Sequence, residues 1–595
     1  MVANKGEYTA LQSDKKPNQE ELMQHPEKSP LEESNIEIVG ADIQESTSNS
    51  RLADETKKEE EDIKKIVEQI IEQEKDHCNL KGKNIGIIGG GIAGCTTALV
   101  LANQGAKVTL FEKEPKILSE SSDATPCRLG AGFHYQDLPT AIAALEAGVH
   151  LIQYLKKETG SSFQVHTSVQ GGQILQVEKI YYAISNESLV KPEEVLANFE
   201  ALKQHYKTMV ESNPENEVMG PPDAFYKVVN KQNFAGILDL SKINMVIETC
   251  ETLFDWPLFK PYLVGQLNSS SDITIKTHTE VTKIQREPAN LQTQILTKTK
   301  SYNFHHVVNA AWNNVDRLNQ TAGYLSGRET INRWKCMAIV KLPQNLVGRC
   351  FLVGYGAFCS LSSRPDGIGY LTYEPKTNLQ QFDSNKINNE ENNYKKHILT
   401  GAQKESLGKS IIAGATEYIP ALQTCEWVDL KVGTVRTDEG KINIYAKDKH
   451  FGRSFKGVYA AFLGLIVNEA RKHTYWYDNA VACLRLMQIQ MIMPIKIHQL
   501  VQTLSEKVES LKPVESAEGG KAAEQMKASS TLSRGLVYYF STMFIDTKDL
   551  VQLHNSLAPE KLKKPNSFSM FCENKSAMHS ELKEAYAKKF ALKSG

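Results

Sequence analysis

The spacing of hydrophobic positions changes several times along this chain, and each change marks a boundary. Asn84-Ile-Gly-Ile-Ile88 is a short, nearly continuous apolar run, which reads as a buried strand. From Ile92 to about Asn103 the apolar and small residues suit a helix, and Lys107-Val-Thr-Leu-Phe111 reads as the next strand. Strand, helix and strand in that order predict a βαβ unit and a parallel sheet. Between about 160 and 425, strand-like runs at residues 173–177, 273–276 and 369–373 alternate with a few helices. Such a mixture predicts an α+β domain inserted between parts of the first. After about residue 479 the pattern turns helical again, with Pro494 expected to interrupt an apolar stretch over 484–511.

The ends are different. Residues 1–52 are polar, with almost no aromatic residues, and cannot bury enough surface to offset chain entropy. That segment is expected to be disordered. Over 53–80, Ile63, Ile66, Val67, Ile70 and Ile71 recur at helical spacing, giving an amphipathic helix. It either packs on the domain behind it or meets a protein partner. Residues 481–595 form a helical extension with a linker at 512–530, a second place for a protein partner.

Composition narrows the classes. The 595 residues suit two or three domains. With 69 Lys+Arg against 70 Asp+Glu the formal net charge is -1, so no basic surface for nucleic acid is indicated. The ten cysteines are scattered, with no metal-ligand spacing, which points to a reducing compartment and no metal. No secretory signal and no apolar run long enough to span a bilayer is visible, so a cytoplasmic protein without an integral membrane segment is expected.

The candidate chemistry begins at Gly89-x-Gly91-x-x-Gly94, between the first strand and its helix. Gly89 allows a tight turn, Gly91 lets backbone approach a pyrophosphate, and Gly94 lets helix and strand pack closely. The helix N-terminus, at Ile92 and Ala93, offers N–H groups and a partial positive charge. Glu112 ends the second strand where a carboxylate accepts from a ribose hydroxyl, and Lys113 follows it. A lone motif of this kind is weak; the ordered strand, turn, helix, strand and acid make a dinucleotide site.

Four stretches give the chain a resemblance to the FAD-dependent oxidoreductases of the D-amino-acid oxidase type, the superfamily of glycine oxidase and L-2-hydroxyglutarate dehydrogenase. They are Ile87 to Gly94 with the Val108–Lys113 strand end; Arg128-Leu-Gly-Ala-Gly-Phe-His-Tyr135 with a helix over 140–156; Thr279–Ile284 with Val307-Val-Asn-Ala-Ala311; and Val432–Gly440 with Gly464. The resemblance covers about 81–480. It implies a Rossmann-type α/β FAD-binding domain made of 81–160, 301–328 and 426–480, and an inserted α+β substrate domain made of 161–300 and 329–425. It places Arg128, Gly132, Val281, Ala310 and Gly464 at the cofactor, with Arg128 meeting phosphate or substrate, or bridging domains. Trp312 stands where the family has glycine, and Gly130 where some relatives carry a histidine that bonds FAD covalently. Non-covalent FAD is therefore expected.

The resemblance implies oxidation of a small amine, amino acid or 2-hydroxy acid by hydride transfer to flavin. Arg436 is expected to grip a substrate carboxylate in a bidentate fork. His134 is a candidate proton acceptor. With Tyr135 it is also readable as a packed aromatic pair. Tyr370 and Tyr373 are placed on one strand face, lining the pocket or the core. The alternative is a flavin scaffold with little turnover whose role lies in the terminal extensions.

Overall fold

The computed structural model describes residues 78–492, apart from 161–162, 166, 171–172, 177–178, 288–291, 325–329, 357, 384–398, 439–456 and 470. The disordered segment expected over 1–52, nearly all of the helix expected over 53–80, Pro494 and the linker at 512–530 lie outside the described residues.

The first apolar runs build one sheet. Asn84–Ile88, Lys107–Phe111, Ile273–Lys276, His306–Asn309 and Leu465–Asn468 pair in parallel, and Val458–Phe462 adds an antiparallel edge. Ile85, Ile87, Val108 and Leu110 are buried, as expected of strands covered on both faces. The helix Ile92–Asn103 packs on this sheet and against the helix Trp256–Ser269. In parallel sheets ligands bind beyond the carboxyl ends of the strands. Here those ends lead into Gly89, Glu112, Ala310 and Glu469.

The second sheet has nine strands. Next to one edge runs the long strand Thr330–Lys341, which pairs along its length with the edge strand Glu426–Asp438. On its other side it pairs first with Asn378–Asp383 and then with Ile368–Tyr373. Two boundaries therefore move. Residues 273–276, expected in the substrate domain, belong to the parallel sheet. Residues 426–438, expected in the FAD-binding domain, belong to the nine-stranded sheet, and the chain rejoins the parallel sheet only at Val458. The apolar run locates the strand at 273–276 without indicating the sheet it joins, and 426–438 is placed by resemblance alone.

The helix Leu138–Thr159 shows how local signals set an element. Asp137 caps its N-terminus by accepting from the Thr140 amide at 3.0 Å, and Gly160 ends it at φ 68. Ala141, Ala144, Leu145, Gly148, Ile152 and Leu155 line its buried face. A helix over 476–492 closes the described chain, with Ala480, Cys483 and Met487 buried. Among the described residues no helix is long and apolar enough to cross a membrane.

Candidate active site

At the turn, Gly89 adopts φ 104, and a side chain there would strike the Ala310 carbonyl. A methyl on Gly94 would lie 1.9 Å from the Gly89 carbonyl oxygen, so helix and turn touch backbone to backbone. Gly91 differs. Its φ is -76, and the nearest atom to an added methyl is the Ser122 hydroxyl oxygen at 3.2 Å. Its open side faces a cavity of about 510 Å³.

Three amides of the turn already donate to oxygens, that of Gly89 to the Phe111 carbonyl at 2.8 Å. The Gly90 amide donates to Glu112 Oε2 at 2.7 Å, and the Ile92 amide to Ser122 Oγ at 2.9 Å. Glu112 Oε1 also accepts from the Glu114 amide at 2.8 Å. The helix start thus presents N–H groups to acceptor atoms, the arrangement a diphosphate uses. Glu112, Lys113, Thr279, Glu280 and Val281 continue the cavity wall beyond the turn. Turn, acid and wall fit an adenine dinucleotide, with Gly91 leaving the space.

Two segments enclose the middle of the cavity. The loop at 120–126 packs on the strand Glu426–Asp438, where the Thr434 amide donates to Ser121 Oγ at 2.9 Å. A methyl on Gly433 would come within 2.9 Å of Ala124 Cβ. Trp312 holds the other side, its indole donating to the Thr434 carbonyl at 2.9 Å. Its φ is 52, in the left-handed region. That conformation suits the glycine of relatives and strains a tryptophan.

Charged groups crowd the far end. The Glu251 carboxylate accepts from the Ala131 amide at 2.6 Å and the Tyr182 hydroxyl at 2.8 Å. Burial raises the Glu251 carboxyl above the ordinary carboxylate range, against the pull of Arg128, Tyr182, the Ala131 amide and Lys472. Burial likewise raises the Tyr182 hydroxyl. Lys472 sits 3.8 Å from the Tyr135 ring centre, and the His134 and Tyr135 rings meet edge to face at 5.5 Å. On the opposite wall Lys335 Nζ contacts Glu374 at 2.8 Å. Burial works against that carboxylate, yet Lys335 and Asn378 hold it down at about 2.

Of the residues singled out from the sequence, Gly89, Gly91, Ile92, Ala93, Glu112, Lys113, Arg128, His134, Tyr135, Val281 and Ala310 line the one cavity. Others do not reach it. Arg436 is fully buried outside the wall, its guanidinium bonded to Asp316 at 2.7 Å and to Glu469 at 3.2 Å. Two carboxylates already occupy its fork, so the substrate-gripping role is withdrawn. Gly464 forms the hairpin before Leu465–Asn468, where its carbonyl accepts from the Val307 amide at 2.8 Å. That is the amino end of the parallel strands, the end opposite the cavity. Gly132, at φ 96, faces the Ala141 carbonyl instead, and Gly94 seats the helix. Tyr370 and Tyr373 do not share a face: Tyr370 packs in one core cluster and Tyr373 against another. Three residues apart on a strand, they must point opposite ways. Ser122, Glu251 and Lys472 escaped sequence reasoning because no local pattern marks them.

The fold and this cavity define a dinucleotide-binding α/β protein with a second, antiparallel-rich sheet covering the site. Comparison with known proteins narrows this. Residues 84–332 match the DAO family model, FAD dependent oxidoreductase. That match covers less than half of the chain, and over those residues the chain is similar to an FAD-dependent oxidoreductase domain. A 62-residue stretch is 44% identical to the FAD-dependent monooxygenase FPY4 of Fusarium mangiferae, covering 10% of this chain and 16% of that protein. The match thus spans about one sixth of that relative. Glycine oxidase from Geobacillus kaustophilus superposes with a TM-score of 0.48 at 14% identity, covering 69% of this chain and 95% of that one. For iminodiacetate oxidase from Chelativorans sp. BNC1 the values are 0.46, 12%, 69% and 95%.

Proposed function

We propose that this protein oxidises a small amine, amino acid or 2-hydroxy acid, with FAD held non-covalently. The observation that carries this reading is that one cavity is lined both by the dinucleotide turn and by a cluster of charged side chains. The amides of Gly91 to Ala93, with Glu112, Lys113, Val281 and Ala310, would hold the dinucleotide. Bound FAD would supply the hydride acceptor. The chain's own part is to bind the donor, orient it and exclude water. Gly130 presents no side chain, and His134, a candidate proton acceptor, lies on the same wall as Tyr135. The described cysteines form no disulfide with one another, in keeping with the reducing cytoplasm expected of the chain.

The test is anaerobic bleaching of the flavin band near ~450 nm by a panel of amines, amino acids and 2-hydroxy acids. Bleaching by any one supports the reading. A flavin that dithionite reduces but no donor in the panel does would favour a scaffold instead.

A further inference from the structure

The loop that crosses the middle of the cavity is anchored at its two ends and fastened between them by one charged side chain. Among the described residues six other than glycine adopt a left-handed φ, and two of them bracket this loop, Leu118 at 56 and Cys127 at 58. A side chain fits that conformation poorly, so both are strained backbone positions. Each is tied down: the Leu118 amide donates to the Gly90 carbonyl at 2.8 Å, and the Cys127 carbonyl accepts from the Phe254 amide at 2.6 Å. The eight residues between them, 119–126, bring Ser121, Ser122, Ala124 and Thr125 to the cavity wall.

The fastening is Asp123. Its Oδ1 accepts from Trp256 Nε1 at 3.1 Å and from Lys260 Nζ at 2.9 Å, both on the helix Trp256–Ser269 beside the parallel sheet. Its Oδ2 accepts from Lys431 Nζ at 3.0 Å, and the same ammonium reaches the Asp123 carbonyl at 3.1 Å. Lys431 belongs to the strand Glu426–Asp438 of the nine-stranded sheet. One carboxylate thus joins the loop to elements of both sheets. Burial works against its ionised form, yet Lys260, Lys431 and Trp256 hold the carboxyl below its ordinary value. Strained positions at both ends and one charged fastening between them are the parts of a hinged segment with two arrangements.

We infer that residues 119–126 form a strap that gates the dinucleotide cavity, hinged at Leu118 and Cys127 and latched by Asp123 on Lys260 and Lys431. Closed, the strap sets the Ser122 hydroxyl oxygen 2.9 Å from the Ile92 amide, with its own O–H able to donate to a phosphate oxygen. Open, it uncovers the turn and lets the cofactor pass. The inference rests on the reading of this cavity as an FAD site and adds the route by which FAD enters and leaves. A latch closes the empty and the filled cavity alike. Weakening it speeds both entry and exit and changes the affinity less than either rate. A residue that only holds bound cofactor would alter the exit rate alone.

The experiment uses the full chain as holoprotein and apoprotein, with FAD as the probe. Asp123→Asn keeps the shape and removes the charge, and Lys431→Met removes one of its partners. Stopped-flow flavin fluorescence gives the entry rate, and capture of released FAD by an excess of another flavin-binding apoprotein gives the exit rate. Asp123→Asn should raise both at least about tenfold, with Lys431→Met acting in the same direction and the double variant adding little. Glutamyl endopeptidase reads the strap without flavin. In the apoprotein, cleavage after Glu120 should be at least about tenfold faster in Asp123→Asn, with cuts elsewhere unchanged. Wild-type rates in both variants, faster exit with unchanged entry, or cleavage that rises equally at every site overturns the strap and leaves the FAD reading standing. If the wild type takes up no FAD, that reading falls, and equal cleavage after Glu120 in wild type and Asp123→Asn overturns the strap as well.

Discussion

Two alanine substitutions three residues apart should have opposite consequences. Gly94→Ala would place a methyl 1.9 Å from the Gly89 carbonyl oxygen, with backbone on both sides of the clash. An ordinary contact needs helix and turn to separate by roughly 1.5 Å, and overpacking of this kind costs about 1–3 kcal/mol. With no side chain able to swing aside, the cost should fall near the upper end. Gly91→Ala meets only the Ser122 hydroxyl at 3.2 Å, at a φ of -76 that alanine adopts freely. Its stability cost should stay below about 1 kcal/mol. Yet its methyl enters the cavity and denies the diphosphate its approach to the amides. Losing one hydrogen bond to a charged group is worth about 1.5–3 kcal/mol, or roughly a ten- to hundredfold loss of FAD affinity. Thermal melting of the FAD-free proteins and quenching of flavin fluorescence on titration read the two effects separately. Wild-type FAD affinity in Gly91→Ala, or a wild-type melting temperature in Gly94→Ala, would refute the reasoning.

Arg436→Met should destabilise the fold by about 3–5 kcal/mol in urea, since Asp316 loses its buried cation. A stable variant with a selectively raised substrate KM would instead restore its carboxylate-gripping role. Burial lowers the His306 imidazole to about 4, with His305 and Lys83 adding to the effect. The fold therefore binds fewer protons than the unfolded chain between pH 4 and 6.5. Stability is full above that range and falls as pH drops, by about 2 kcal/mol between pH 7 and 5. Burial also lowers the His473 imidazole to about 4, so His306→Gln should remove about half of the combined slope in urea titrations at each pH; an unchanged slope would count against it. At Trp312, alanine keeps the left-handed strain that glycine relieves. Trp312→Gly should therefore be more stable than Trp312→Ala by about 1 kcal/mol in the same titration, and the reverse order would be contrary to it.

What the sequence disclosed and what it hid follow from the range of the interactions. The turn at Gly89–Gly94 and its flanking elements were legible because every determinant lies within one βαβ unit. Glu112 was found at the expected place because the strand that carries it pairs directly with the first. Arg436 was misread because its partners, Asp316 and Glu469, come from distant segments that claim its fork before any substrate can. Gly464 was misread because a glycine beside a strand does not reveal which end of the strand it occupies. The Arg128–Glu251 juxtaposition was invisible, since it depends on a strand pairing only two residues deep across more than a hundred residues of chain. Strand parity, however, was available: Tyr370 and Tyr373 could have been set on opposite faces by counting.

The central claim is that the cavity beside Gly91 holds FAD. Unfolding the purified protein and identifying the released chromophore by absorbance and mass tests it most directly. The account predicts intact FAD, close to one per chain and freed by denaturation alone. A nicotinamide dinucleotide in its place, or no uptake of added FAD by the folded protein, would contradict it.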